Sequence, residues 1–95
     1  MKDNMNNKKS DVRKEISLKV GHNMKKTREG MQMTQAKVAE KVNALLPDAT
    51  FDEKTLRRFE LGQVSQKITT MYLIAHALGV SVDEFLSDEI EKMMK

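Results

Sequence analysis

Apolar residues recur along this chain at the three- and four-residue intervals of amphipathic helices, with polar breaks between the runs. The first run predicts the buried face of a long helix, formed by Val12, Ile16, Val20 and Met24. Either Ser10 or Asp11 is suited to cap the start of this helix. Gly30 and the polar Gln32 mark its predicted end.

A second helix is predicted to begin after Thr34, a residue type that caps helix N-termini. Its buried side is formed by Val38, Ala39 and Val42. Leu45 and Leu46 can extend that apolar side by another turn. Pro47 then ends the helix, because it lacks an N–H and disfavours helical angles in the residue before it.

The third helix follows a polar connection that Phe51 is expected to anchor on the core. Its predicted N-cap is Asp52, with Thr50 as the alternative through a capping box with Glu53. The inward-facing residues are expected to be Leu56, Phe59 and Leu61. Gly62 supplies a left-handed stop.

Two further apolar runs complete the helical pattern. The fourth helix is predicted from Ile68, Met71, Ile74, Ala75 and Leu78. Gly79 ends it, and Ser81 with Glu84 forms a capping box that opens a fifth helix carrying Phe85 and Leu86. The predicted fold class is therefore all-α, with five helices.

The chain divides into an arm, a domain and a tail. Residues 1–10 are polar and aperiodic, and we expect a disordered arm, either without a role or gripping a nucleic-acid partner. Residues 11–87 form the helical domain. Residues 88–95 are predicted to be a helical tail whose apolar residues are Ile90, Met93 and Met94. The tail either packs on its own core or, with Tyr72 and Leu73, contacts a second copy of the chain.

Composition narrows the class of protein. With 95 residues, the chain suits a single domain with one modest core. The absence of Cys excludes disulfides and thiolate metal sites and fits a cytoplasmic location. No apolar run approaches the roughly 20 residues of a membrane span. His22 and His76 lack metal-ligand spacing, and no serine has an activating His–Asp context. We therefore expect no metal, cofactor, small-molecule substrate or enzyme activity.

Charge is unevenly distributed along the chain. Residues 1–29 hold nine basic and four acidic residues, a net charge of +5, whereas residues 68–95 hold two basic and five acidic residues, a net charge of −3. A basic front favours a polyanionic partner on one side of the molecule.

Several short motifs, read together, resemble the Cro/phage-repressor (XRE-type) helix-turn-helix family over about residues 21–86. The residues that carry the resemblance are Arg28, Thr34-Gln35, Val38-Ala39, Leu56, Phe59-Glu60-x-Gly62 and the run from Ile68 to Leu86. The resemblance implies a lambda-repressor-like domain that binds double-stranded DNA as a sequence-specific transcriptional regulator, expected to be a repressor. It also implies a homodimer on a near-palindromic site.

Two departures from the family pattern stand out. The interval from Gln35 to Glu60 is longer than in the family, and the additional residues fall at about 43–50, which predicts an enlarged turn. Gln32 also stands where the family usually has Gly.

The third helix, near residues 52–61, is the expected reader of the major groove. Because Leu56 and Phe59 define its buried face, the outward face carries Glu53, Lys54 and Arg57, with Arg58 at the flank. The resemblance places base-reading residues at Glu53, Lys54 and Arg58, with Thr55 and Arg57 beside them. It further implies backbone-phosphate contacts by Gln35 at the start of the second helix. The expected DNA-binding residues are Thr34, Gln35, Glu53, Lys54, Thr55, Arg57, Arg58 and Lys67.

Arg28 and Glu60 have a different implied role. The resemblance makes them a structural ion pair that ties the first helix to the third. A competing interpretation is an antitoxin-like or adaptor module that keeps this fold but binds a partner protein, and the enlarged turn favours it. In that case Arg57 and Arg58 belong to an ordinary solvated helix face.

Overall fold

A computed structural model describes residues 11–86, which form four α-helices and one 3₁₀ helix. The helices are α1 (Val12–Gly30), α2 (Gln35–Asn43), α3 (Glu53–Glu60) and α4 (Ile68–Leu78), followed by the 3₁₀ helix Val82–Phe85. No strand occurs within the described range. The predicted arm and the tail residues Ile90, Met93 and Met94 lie outside it.

The helix starts follow the predicted caps. The side chains of Asp11, Thr34 and Asp52 accept hydrogen bonds from backbone N–H groups in the first turns of α1, α2 and α3. Asp52, and not Thr50, therefore caps α3. Thr50 instead donates its hydroxyl to Asp48 Oδ1 at 3.2 Å.

The expected fifth α-helix is a 3₁₀ helix over the described residues. The Ser81 hydroxyl accepts from the N–H of Asp83, and Glu84 N–H donates to the Ser81 carbonyl three residues back. This tight winding turns Phe85 into the core, where it is fully buried.

One core lies between the helices. Its most deeply buried side chains are Met24, Val38, Val42, Leu56, Ile74, Leu78 and Phe85. α1 packs on α3 and the 3₁₀ helix, while α2 packs on α3 and α4. Phe51 is buried as expected and anchors the connection between α2 and α3.

Five residues of the predicted apolar runs are exposed, with between 41% and 51% of their surface accessible. They are Val12, Leu45, Leu61, Ile68 and Leu86. Each is the first residue of its helix or lies one or two residues beyond the last one. The apolar spacing continues to these positions, but no neighbouring element among residues 11–86 buries them there.

α1 crosses α3 at very short distance. A β-carbon at Gly21 would overlap the backbone carbonyl oxygens of Phe59 and Glu60. Just after α3, Gly62 adopts φ +70° and lies so close to α1 that a β-carbon there would be 2.8 Å from Leu18 Cα. The crossing therefore requires glycine at both positions.

α1 ends in a Schellman-type turn. Met33 N–H donates to the Arg28 carbonyl, and Gln32 N–H donates to the Glu29 carbonyl. Gln32 adopts φ 59°, the left-handed conformation that favours glycine. This explains physically why Gly suits this position better than Gln.

The described helices are not of the membrane-spanning kind: within residues 11–86, none is both long and apolar enough to cross a bilayer.

Candidate nucleic-acid interface

α3 presents one buried face and one charged, exposed face. Leu56 is 1% and Phe59 9% exposed, which fixes the helix against the core. The opposite side carries four exposed charged residues, namely Glu53, Lys54, Arg57 and Arg58. These four are called the outward row below.

Within the outward row, Arg57 Nη2 lies 3.9 Å from Glu53 Oε2. Both side chains are about half exposed, so this long ion pair contributes little to stability. The guanidinium of Arg57 is therefore weakly held and free to exchange this contact for another.

Thr55 serves the cap of α3. Its hydroxyl donates to Asp52 Oδ1 at 2.7 Å, and its backbone N–H donates to the same oxygen at 2.8 Å. Both hydrogen bonds hold the pKa of Asp52 below its usual range, and the one from the Thr55 hydroxyl has the larger effect. The carboxylate cap is therefore present at neutral pH and is lost only as pH falls through that lowered pKa.

Arg58 and Lys67 line the same groove beside α3, which has a volume of about 630 Å³. They are the charged residues among those described around it, and both are positive. Hydroxyl groups of Thr55, Thr69 and Thr70 share the lining with Leu46, Phe51, Phe59 and Leu73. Lys67 immediately precedes α4, at whose start the helix dipole also favours an anion.

Three helices meet at the carboxylate of Glu60. Arg28 Nε donates to Glu60 Oε2 at 2.7 Å, and Arg28 Nη2 donates to Oε1 at 3.1 Å. Gln35 Nε2 adds a hydrogen bond to Oε1 at 2.9 Å. Arg28 and Glu60 are 9% and 6% exposed. The hydrogen bonds that Arg28 donates to Glu60 raise the pKa of Arg28 further, so its guanidinium stays charged.

Thr34 and Gln35 lie at the start of α2, apart from the groove. The Thr34 hydroxyl accepts from Lys37 N–H at 3.0 Å. Gln35 is half-buried through its bond to Glu60. The structure thus groups the outward row on one face and places Arg58 and Lys67 along one groove, while Gln35 is linked to α3 through Glu60.

Sequence reasoning missed three residues that position α3. Gly21 permits the close crossing with α1, and a glycine inside a predicted helix was the available signal. Gln66 Nε2 donates to the carbonyls of Ser17 at 3.1 Å and Phe59 at 2.9 Å. Asn43 hydrogen-bonds the backbone of Phe51. The contacts of Gln66 and Asn43 leave no periodic trace in the sequence.

The described residues include no group of three or more His, Asp or Glu side chains placed to hold a metal ion.

Comparison with known proteins places the chain in a family. The family model HTH_3, described as helix-turn-helix, matches residues 24–85, which include the C-terminal end of α1 from Met24 onward and all the later helices that the structure describes. Neither the curated proteins nor the solved structures contain a match. The match covers well over half of the chain, so the protein belongs to the XRE-type helix-turn-helix family of DNA-binding transcription regulators, to which Cro and the phage repressors also belong.

Proposed function

We propose that this protein is a cytoplasmic repressor that binds double-stranded DNA sequence-specifically, as a homodimer on a near-palindromic site, and has no enzyme activity. The observation that carries the proposal is the outward row of α3, held opposite a buried face and flanked by the cationic groove of Arg58 and Lys67. An α-helix fits the major groove, and its N-terminal part reaches the base edges.

The residues that contact the base edges in this proposal are Glu53, Lys54 and Arg58. Arg58 presents a planar fork suited to guanine O6 and N7, and Lys54 donates to the same acceptors. Glu53 accepts from cytosine N4 and disfavours a misplaced phosphate. Arg57 can leave its long pair with Glu53 to join these contacts.

Backbone binding falls to residues at two helix starts. Lys67, before α4, is placed to hold a phosphate in the groove that it shares with Arg58. At the start of α2, the Gln35 amide has a second N–H beyond the one given to Glu60, and it can donate to another phosphate. Thr34 caps α2, and Thr55 donates to Asp52, the cap of α3; in our proposal both lie at the edge of the DNA contact.

In our proposal, Arg28 and Glu60 hold α1 and α3 together and do not contact DNA. Their pair is buried and bidentate, and removing one partner would leave an uncompensated charge in the interior. The 44–52 connection is the enlarged turn of the helix-turn-helix.

The test is selection from a randomised duplex pool at moderate salt, comparing the wild type with the Arg57→Ala/Arg58→Ala variant. We expect the wild type to enrich a two-fold symmetric motif and the variant to lose it. Lost bidentate base contacts cost roughly 1–3 kcal/mol each, and lost phosphate contacts reduce the salt dependence of binding.

A matched control is Lys14→Ala/Lys41→Ala, which removes two exposed cations of α1 and α2 that lie outside the outward row and groove. This control is expected to keep the enriched motif. Failure of the wild type to enrich any motif, or equal behaviour of wild type and the arginine variant, would favour the antitoxin-like or adaptor interpretation.

A further inference from the structure

The connection between α2 and α3 is long for two helices that must hold a fixed angle. Nine residues, 44–52, separate the end of α2 from the start of α3. A flexible connection of this length would let the start of α3 move relative to α2. That start carries Glu53 and Lys54, two residues of the outward row.

Asn43, the last residue of α2, closes this connection with two hydrogen bonds to one residue. Its Oδ1 accepts from the backbone N–H of Phe51 at 2.8 Å, and its Nδ2 donates to the backbone carbonyl of the same residue. One amide side chain thus satisfies both polar backbone groups of a residue eight positions away. We call this pair of bonds the Asn43 clamp.

The clamp acts on a residue that is already anchored. The Phe51 ring is 8% exposed and lies 6.1 Å from the ring of Phe59 on α3, measured between centroids. Asp52, the next residue, is the N-cap of α3. A displacement of the Phe51 backbone is therefore passed directly to the first turn of α3.

The remainder of the connection bulges outward between the two ends of the clamp. Residues 47–50 are exposed, and Ala49 adopts φ 49°, a left-handed conformation that reverses the chain. Since the ends are joined by the clamp, the length of this bulge does not set the position of α3.

We infer that Asn43 is a positioning residue for DNA recognition: its clamp fixes the N-terminal turn of α3 and so sets the register of the outward row in the major groove. This inference rests on the proposed function and assigns a role to a residue that does not itself contact DNA. It explains how a helix-turn-helix with an enlarged turn can present its reading helix at a defined angle.

The first readout does not depend on DNA. In Asn43→Ala, the Phe51 amide loses its acceptor, and we expect its hydrogen exchange to accelerate by at least about tenfold relative to amides in the middle of α4. Leu45→Ala is the matched control, because Leu45 is neutral, exposed and in the same connection. It is expected to leave exchange at Phe51 unchanged.

The second readout is the ratio of affinities for the selected duplex and for an unrelated duplex of equal length. In Asn43→Ala we expect this ratio to fall by about tenfold, the size of one lost base contact, with non-specific affinity retained. Leu45→Ala should keep the wild-type ratio. Binding is compared at a temperature where the ellipticity at 222 nm equals that of the wild type.

Asn43→Asp extends the test should Asn43→Ala fold poorly. The carboxylate keeps the acceptor for Phe51 N–H but cannot donate to the Phe51 carbonyl. We expect protection of the Phe51 amide to persist in part and the affinity ratio to fall less than in Asn43→Ala.

The two readouts test the clamp and the positioning role of Asn43 separately. Faster exchange with an unchanged affinity ratio would overturn positioning and leave Asn43 a loop-closing residue. Unchanged exchange would overturn the clamp itself. If the wild type selects no duplex, the proposed function fails and positioning falls with it, while the exchange data still judge the clamp.

Discussion

Gln32 is a single residue whose backbone adopts a conformation that suits glycine better than glutamine. It follows α1 in the left-handed region, at φ 59°, and its N–H completes the turn by donating to Glu29. Residues with a β-carbon pay about 1 kcal/mol or more for this conformation, whereas glycine does not.

Gln32→Gly is therefore expected to stabilise the protein by about 1 kcal/mol, less the entropy that glycine adds to the unfolded chain. Thermal unfolding should show a melting temperature higher by a few degrees, as expected for a domain of this size. Gln63→Gly is the control, because Gln63 is exposed and does not have positive φ. A Gln32→Gly variant that melts no higher than this control would contradict the argument.

Single-residue roles were predictable when the interaction was local. The caps at Thr34 and Asp52 follow from residue type and position, because the N–H group that each satisfies lies three residues away. The bond from Gln35 to Glu60 was not predictable, since it joins residues 25 positions apart. Gln35 was expected to contact a backbone phosphate, and one of its two amide N–H donors is used by Glu60.

At the scale of elements, the contact between α1 and α3 determines where the outward row stands. Gly21 brings the two backbones together, and the Arg28–Glu60 pair joins the same helices two turns later. Together with Gln66, these contacts hold α3 from its C-terminal end, while the Asn43 clamp holds its start.

Gly21→Ala is expected to push α1 and α3 apart. The added β-carbon would overlap backbone carbonyls, which cannot rotate away, so we expect a loss of about 1–3 kcal/mol despite the better helix propensity of alanine. Denaturant unfolding measures this loss. Gly30→Ala is a close control on the same helix, since nothing lies within 4 Å of a β-carbon there. Equal stability of the two variants would show that the crossing is not tight.

The helices themselves could be read from the sequence, but their ends could not. Apolar periodicity correctly located the four α-helices found in residues 11–86, because each buries one face on a shared core. The same periodicity failed at Leu45, Leu61 and Leu86, which follow the last residue of their helices and point to solvent. Where a helix stops depends on capping and on the neighbours that it reaches.

At the scale of the whole molecule, the all-α fold followed from local signals, whereas the shared surfaces did not. The groove of Arg58 and Lys67 is lined by residues of α3, of the connection after it and of α4, which come together only in the folded molecule. Nothing in the spacing of these two residues distinguishes that arrangement from two separate surface cations.

We expect the exposed face of α4 to form part of a dimer interface. Tyr72 is 59% exposed on α4, and we expect Tyr72→Glu to yield a monomer in sedimentation velocity with helix content intact. Such a monomer should retain affinity for one half-site and lose the gain from a two-fold site. Met31→Glu, at another exposed apolar position, directly after α1, serves as control. Wild-type self-association of Tyr72→Glu would exclude α4 from the interface.

The division of α3 into a buried and an exposed face has a consequence for how such a protein can change over evolutionary time. Leu56, Phe59 and Glu60 hold the helix in place, whereas the ion pair that the outward row makes among the described residues is the long one between Arg57 and Glu53. Substitutions in the row are therefore nearly neutral for folding but alter which duplex is preferred. A duplicated copy of the gene could acquire a new target through a few such changes, with its scaffold inherited unaltered.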